Sequence, residues 1–273
     1  MDYLQLTLGF LIAAVIAYAA NRVHALNTSG ALAALVLGTV VFGLGGFAWA
    51  VVLMMFFVTS SGLSKLFKDR KQAIETQNEK GSRRDAWQVI ANGGVAGLAV
   101  LFHILFPGSL LPWMAFVCAF AAANADTWAT ELGFLNKTLP RRINSWQKVP
   151  AGSSGAVSLA GTLAAAAGAG LIGLTAWLFW PQMLVIGQHG WKFALVILVA
   201  GLFGSLVDSL LGATLQAVYW CPACEKETEK SQLHTCGTPT TWQRGVRWIG
   251  NDLVNMACTG SGAQMGLMIK AFF

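Results

Sequence analysis

Charged residues are scarce in this chain. Of its 273 residues only 11% are Asp, Glu, Lys or Arg, while 55% are hydrophobic and the mean hydropathy is +0.58. A soluble protein carries about 25% charged residues, so this chain cannot cover a water-facing surface. A single soluble domain and a disordered protein are excluded. Cysteine is limited to five residues, which excludes a small disulfide scaffold, and no internal repeat or low-complexity tract stands out. The N-terminal region has Asp2 and no cation before a long apolar stretch, so the first segment reads as a retained span rather than a signal peptide.

What is present is apolar sequence in span-sized pieces. Eight segments run approximately over 3–20, 29–45, 47–63, 87–106, 110–135, 154–180, 191–218 and 249–273, each close to the roughly 20 residues a membrane helix needs. The expected fold is all-α, a single membrane helix bundle over 1–273. Two loops interrupt it, a basic one over 64–86 and a Cys/His loop over 219–247. If the spans alternate in direction, 16 of the 18 Lys and Arg residues fall on one side, leaving Lys192 and Lys270 on the other. That bias puts both termini outside and the basic loops in the cytoplasm. It also explains the net charge of +6 without nucleic acid. Glycines such as Gly161, Gly168, Gly170 and Gly173 read as close helix contacts in lipid. Cys118 and Cys258 read as small buried hydrophobes.

Polar residues inside spans are costly and mark sites. The fifth segment carries Asn124, Asp126, Thr127, Thr130 and Glu131. At 100° per residue Asn124, Thr127 and Glu131 share one face while Asp126 and Thr130 lie on another. Either the helix is deformed there or it stands between two polar neighbours. The seventh segment places Ser205, Asp208, Ser209 and Gly212 on one stripe, and the eighth opens with Asn251, Asp252 and Asn255. Such a set suits a hard cation or a proton relay. Near the same membrane face lie Arg83 and Arg84, Gln88 and Asn92 one turn apart, and Lys148 ahead of the turn Gly152-Ser153-Ser154-Gly155. A Gly/Ser turn running into a helix offers backbone N–H groups and a positive dipole end to phosphate. Carboxylates for Mg²⁺ beside cations for phosphate point to phosphoryl transfer from a nucleoside triphosphate rather than ion conduction.

A separate feature is Cys221 and Cys224 in CPAC, followed by His234 and Cys236. Three thiolates and an imidazole match a four-coordinate structural Zn²⁺ site of the knuckle type, with a redox dithiol as the alternative.

The blocks RRDAWQVIANGG, NADTWATELG, VPAGSSGAVSLAGT, GSLVDSLLGATLQ and NDLVN, in this order, resemble the integral-membrane family of transmembrane protein 19. That family includes the plant phytyl-phosphate kinase of tocopherol synthesis and cyanobacterial relatives. The resemblance implies a kinase that converts an isoprenoid monophosphate to its diphosphate, with CTP or another nucleoside triphosphate as donor and membrane lipid around it. For a cyanobacterial source it implies a plasma or thylakoid membrane. It carries over to Arg84, Gln88, Asn92, Asn124, Asp126, Glu131, Asp208, Asn251, Asp252 and Asn255. Within that frame we assign Mg²⁺ to Asp126, Glu131 and Asp208, with Asn124 and Asp252 completing the catalytic group. Phosphates fall to Arg83, Arg84, Lys148 and the 152–155 backbone, with Gln88, Asn92, Asn251 and Asn255 around the donor, and Trp128 is expected beside the prenyl tail. The rivals are a CTP-dependent lipid nucleotidyltransferase, which releases pyrophosphate, and a transporter, which leaves the Gly/Ser turn unexplained and calls for repeats that are not seen.

The topology is directly testable. Tags at either terminus should be reached only from outside the membrane, and labels at Lys71 or Lys226 only from inside. Finding the Lys71 loop and the C-terminus on one side would break the eight-span arrangement.

Overall fold

The computed structural model describes residues 3–67, 83–136, 138–179 and 190–270. Most of the basic loop 64–86, with Lys68, Arg70, Lys71 and Lys80, lies outside these residues, as does Lys137. The described residues form eight α-helices: α1 (Tyr3–Arg22), α2 (Thr28–Val40), α3 (Phe47–Leu66), α4 (Ala86–Leu105), α5 (Leu111–Leu132), α6 (Leu159–Phe179), α7 (Gly190–Thr214) and α8 (Asn251–Lys270). A π turn over Val41–Gly45 extends α2. Six of the eight, counting α2 with its π turn, are long and apolar enough to cross a membrane. The other two, α5 and α8, each carry several Asn, Asp or Glu residues, which lowers their hydropathy.

Helix α5 is the axis. Fourteen of its 22 residues are buried, and α3, α4, α6, α7 and α8 all pack against it, so Asn124 and Glu131 are shut inside the bundle. The packing depends on small residues. A Cβ at Gly168 of α6 would lie 2.9 Å from the Asn124 carbonyl oxygen, and one at Gly262 of α8 would lie 3.0 Å from that of Cys118. The alanine run of α5 and these glycines let backbones approach where larger residues would hold them apart. Gly170 has no such neighbour and faces open space beyond Leu198. Cys118 and Cys258 are buried thiols in this core, as expected. Around α5, Phe116 and Phe120 stack with Trp49, Trp113 and Phe56. Helices α1 and α2 lie outside this core, with Leu4, Leu8, Leu11 and Val15 of α1 turned outward.

The polar loops contain strands that the all-α expectation does not include. Strands β1 (Arg141–Arg142) and β2 (Ala156–Val157) pair antiparallel, and β3 (Val218–Cys221) lies between β4 (Lys226–Thr228) and β5 (Thr241–Arg244). Two span limits move accordingly. Helix α6 begins at Leu159, not at residue 154, because the chain is still in the hairpin through Val157. Helix α7 ends at Thr214, because Val218 already pairs with Arg244.

Asn124 ties three helices together. It is fully buried; its side-chain oxygen accepts from Thr59 at 3.2 Å and Ser60 at 3.1 Å on α3, and its Nδ2 donates to Gly168 O at 2.8 Å on α6. Asn124→Ala removes the side-chain donor to the Gly168 carbonyl and the acceptor of the Ser60 hydroxyl, while Thr59 keeps its bond to Met55 O at 2.8 Å. The change should lower unfolding stability by about 1–3 kcal/mol, measured by thermal or detergent unfolding of the purified protein. An unchanged midpoint would show that these bonds add nothing.

Candidate functional site

The polar end of the bundle encloses a cavity of about 440 Å³, within the roughly 300–1,000 Å³ typical of small-molecule sites. All its walls come from the end of the helices where the β hairpins lie. Helix α5 supplies Asp126, Thr127, Thr130 and Glu131. It stays regular to Leu132 and tightens to a 3₁₀ turn only after that. Of the two alternatives for its split polar faces, the structure therefore takes the second, a helix standing between polar neighbours. On one side the Asp126 and Asp208 carboxyls are in hydrogen-bond contact. On the other, Glu131 accepts from Ser64 of α3 at 2.7 Å.

Asp208 sits on the expected stripe of α7, where Ser205 and Ser209 also face the cavity. Its Oδ2 is buried and has no hydrogen-bond partner. Gly212, the last of the stripe, instead gives room to the glycine turn, since a Cβ there would lie 2.9 Å from Gly155 N. Gln88 and Asn92 face the cavity from one side of α4, and Asn251 and Asn255 from one side of α8.

Arg84 is fixed by its backbone, which donates to Ala25 O at 3.1 Å and accepts from Asn27 N–H at 3.0 Å in the loop between α1 and α2. Its guanidinium lies 5.7 Å from the centre of the Phe56 ring. Burial pushes the Arg84 pKa down and the Glu131 carboxylate opposes that shift. A weakly hydrated guanidinium tolerates such a place better than an ammonium.

The turn 152–155 forms the cavity's roof. Gly152 and Gly155 adopt φ of +87° and +76°, a conformation that L side chains avoid, and Gly155 packs directly on the Ala213 backbone. One expectation is corrected here. The turn closes the β1–β2 hairpin and does not run into a helix, so no helix dipole stands behind it. The start of α6 reaches the cavity separately, through Ser158 and Gly161, where the Ser158 hydroxyl accepts the Gly161 N–H at 3.1 Å.

Twelve of the sixteen residues expected at the polar site thus line one cavity. Four do not. Asn124 is consumed in the helix tie. Asp252 is one residue from Asn251, 100° around α8, and serves the first turn of that helix, where a carboxylate is favoured. Arg83 and Lys148 are exposed outside it. Trp128 does not border the cavity either, because its indole packs against Gly168 of α6. Glu229, Gln216 and Ser64 line the cavity without having been singled out by sequence. Nothing in their neighbourhood separates them from ordinary loop or helix-end polar residues.

A second cavity, about 70 Å³ and apolar, lies among α1–α4 and is lined by Ala17, Leu37, Phe57 and Val89 among others. Arg84, Gln88 and Asn92 line both cavities.

The ligand atoms of Cys221, Cys224, His234 and Cys236 all lie within 4.8 Å of one another, a group that could hold a metal ion. Cys221 ends β3 and the turn after Cys224 returns the chain into β4. Hydrogen bonds from Thr238 and His234 pull the Cys236 thiol down to about 5, which favours the thiolate a metal needs.

No solved structure matches this chain. It is 32% identical over 255 residues to Protein PGR of Arabidopsis thaliana, covering 83% of this chain and 84% of the relative. An uncharacterized membrane protein of Methanocaldococcus jannaschii is 29% identical over 78% of this chain and 84% of its own. Protein VTE6, chloroplastic, of Arabidopsis thaliana is 26% identical over 92% of this chain and 67% of its own. Residues 11–263 match the family model described as integral membrane protein DUF92, and the chain belongs to that family.

Proposed function

We propose that the protein is a membrane-embedded prenyl-phosphate kinase, passing a phosphoryl group from CTP or another nucleoside triphosphate to an isoprenoid monophosphate such as phytyl phosphate. One observation carries this reading. A single cavity gathers paired carboxylates, an arginine and a Gly/Ser turn, and it shares Arg84, Gln88 and Asn92 with an apolar cavity among α1–α4. That combination suits a substrate with an anionic head and an apolar tail, and the smaller cavity would take the part of the tail next to the phosphate.

A phosphate monoester is already largely dianionic near neutral pH, so no strong base is required. An acceptor oxygen bonds to the donor's terminal phosphorus, the bond from that phosphorus to the bridging oxygen breaks, and a nucleoside diphosphate leaves. The work is alignment and charge neutralisation. Arg84 would grip phosphate oxygens through its planar fork, with Gln88, Asn92, Asn251 and Asn255 orienting the donor. The neighbouring Asp126 and Asp208 carboxyls, with an unpartnered buried oxygen on Asp208, would hold Mg²⁺ together with water and phosphate oxygens. Glu131 lies on the far face of α5, nearer Arg84 and Ser64, where it would reach the ion through water or hold the arginine. Bound Mg²⁺ would supply the charge that offsets the phosphates. Among the rivals, a lipid nucleotidyltransferase would use the same groups, and pyrophosphate release would identify it.

Asp126→Asn and Asp208→Asn keep size while removing charge. Each should lower Mg²⁺-dependent formation of prenyl diphosphate about 10²-fold or more in a protein that still folds, whereas Arg84→Lys should give a milder loss with weaker substrate binding. Equal turnover in Asp208→Asn and wild type would end the metal assignment. Absence of turnover in wild type across several donors and chain lengths would end the kinase reading.

The Cys/His group is assigned to structural Zn²⁺. Cys221→Ser or Cys224→Ser should lose bound zinc and stability, and metal analysis of wild type in reducing buffer should find about one zinc per chain. Zinc-free wild type would remove this assignment.

A further inference from the structure

The loop that carries the Cys/His group reaches the cavity through Glu229, and Glu227 ties the same loop to the neighbouring hairpin. Glu227 accepts both oxygens' worth of contact from Arg142 of β1, at 2.9 and 3.0 Å, with Arg244 of β5 at 3.7 Å. Glu229, two residues on, accepts from Gln216 at 2.7 Å and from the Ser154 hydroxyl at 3.2 Å. Ser154 is held from its other end as well, since Arg244 donates to its carbonyl at 3.4 Å and to the α7 carbonyls of Gly212 and Ala213 at 3.1 and 2.9 Å. The glycine turn is therefore clamped by two side chains, Glu229 just past β4 and Arg244 of β5.

Those strands have little to hold themselves. The segment from Val218 to Arg244 is a three-stranded sheet of short strands, and units below about 40 residues ordinarily need a metal, a disulfide or a partner to fold. The Cys/His group sits where that support is required, joining the end of β3 to the chain at His234 and Cys236. Pairing of Tyr219 with Thr228 then places Glu229 just beyond the sheet, facing the cavity.

We propose that Glu229 is a positioning residue through which the metal-bound knuckle shapes the phosphate-facing turn 152–155, so that loading of the Cys/His group controls the order of the cavity. This rests on the reading of that turn as a phosphate site, but its order can be measured without substrate. Glu229 acts through its acceptor oxygens. A neutral amide, which still accepts from Ser154 and Gln216, preserves the clamp, whereas a methyl group does not.

Hydrogen exchange of the full-length purified protein reads this directly. In zinc-loaded protein, Glu229→Ala should speed exchange of residues 150–158 about tenfold, the equivalent of one hydrogen bond, and leave 219–236 protected. Glu229→Gln should stay close to wild type. Stripping the metal with a chelator should loosen both segments while the helices remain protected, and Glu229→Ala should then add nothing further at 150–158. In turnover, Glu229→Ala should raise the KM for the phosphate donor more than it lowers kcat. The proposal is overturned if stripping loosens 219–236 but leaves 150–158 unchanged, or if Glu229→Gln exchanges as fast as Glu229→Ala. Slow exchange restored as described in a protein with no kinase activity would count against the kinase reading alone.

Discussion

A helix that carries two carboxylates and an asparagine through apolar surroundings must find a partner for each of them, and the rest of the bundle follows from that constraint. Exposed to lipid, α5 would be intolerably costly. Placed at the centre, it meets Thr59, Ser60 and Ser64 on α3, the Gly168 carbonyl on α6 and Asp208 on α7. Five helices can reach it only because alanine and glycine line the contacts. The helix with the most polar groups in its apolar length is thereby the one most surrounded by protein.

The same arrangement divides the polar groups between two tasks. Asn124, deeper in the bundle, has its hydrogen-bonding capacity committed to neighbouring helices and becomes part of the frame. Asp126 and Glu131, nearer the helix end, border the cavity. The cavity lies at that end because there the helices stop and the loops fold back over them as short hairpins. The Arg84 guanidinium bridges the two environments, with Phe56 beneath it and Glu131 near it, at the boundary between the polar cavity and the apolar one.

The extramembrane strands are more than connections. Glu227 and Glu229 bring a small Cys/His unit against the hairpin that roofs the cavity, so a motif that stands apart in the sequence joins the proposed active site. In the proposed reading, metal loading, turn geometry and phosphate binding belong to one mechanical unit.

Hydropathy and the distribution of Lys and Arg determined eight helices and the polar end of the bundle, because both signals arise from local transfer energies. Helical periodicity likewise determined the stripes of α4, α7 and α8, which is why Gln88 with Asn92, Ser205 with Asp208, and Asn251 with Asn255 arrive on the cavity wall together. What periodicity cannot give is which neighbour each face meets. Only the tertiary structure decided that Asn124 is framework while Asp126 is site, that the glycine turn closes a hairpin instead of opening a helix, and that Glu229 reaches across 75 residues to Ser154. Those outcomes depend on contacts between segments distant in sequence, and a face angle on one helix contains no information about the partner waiting across it.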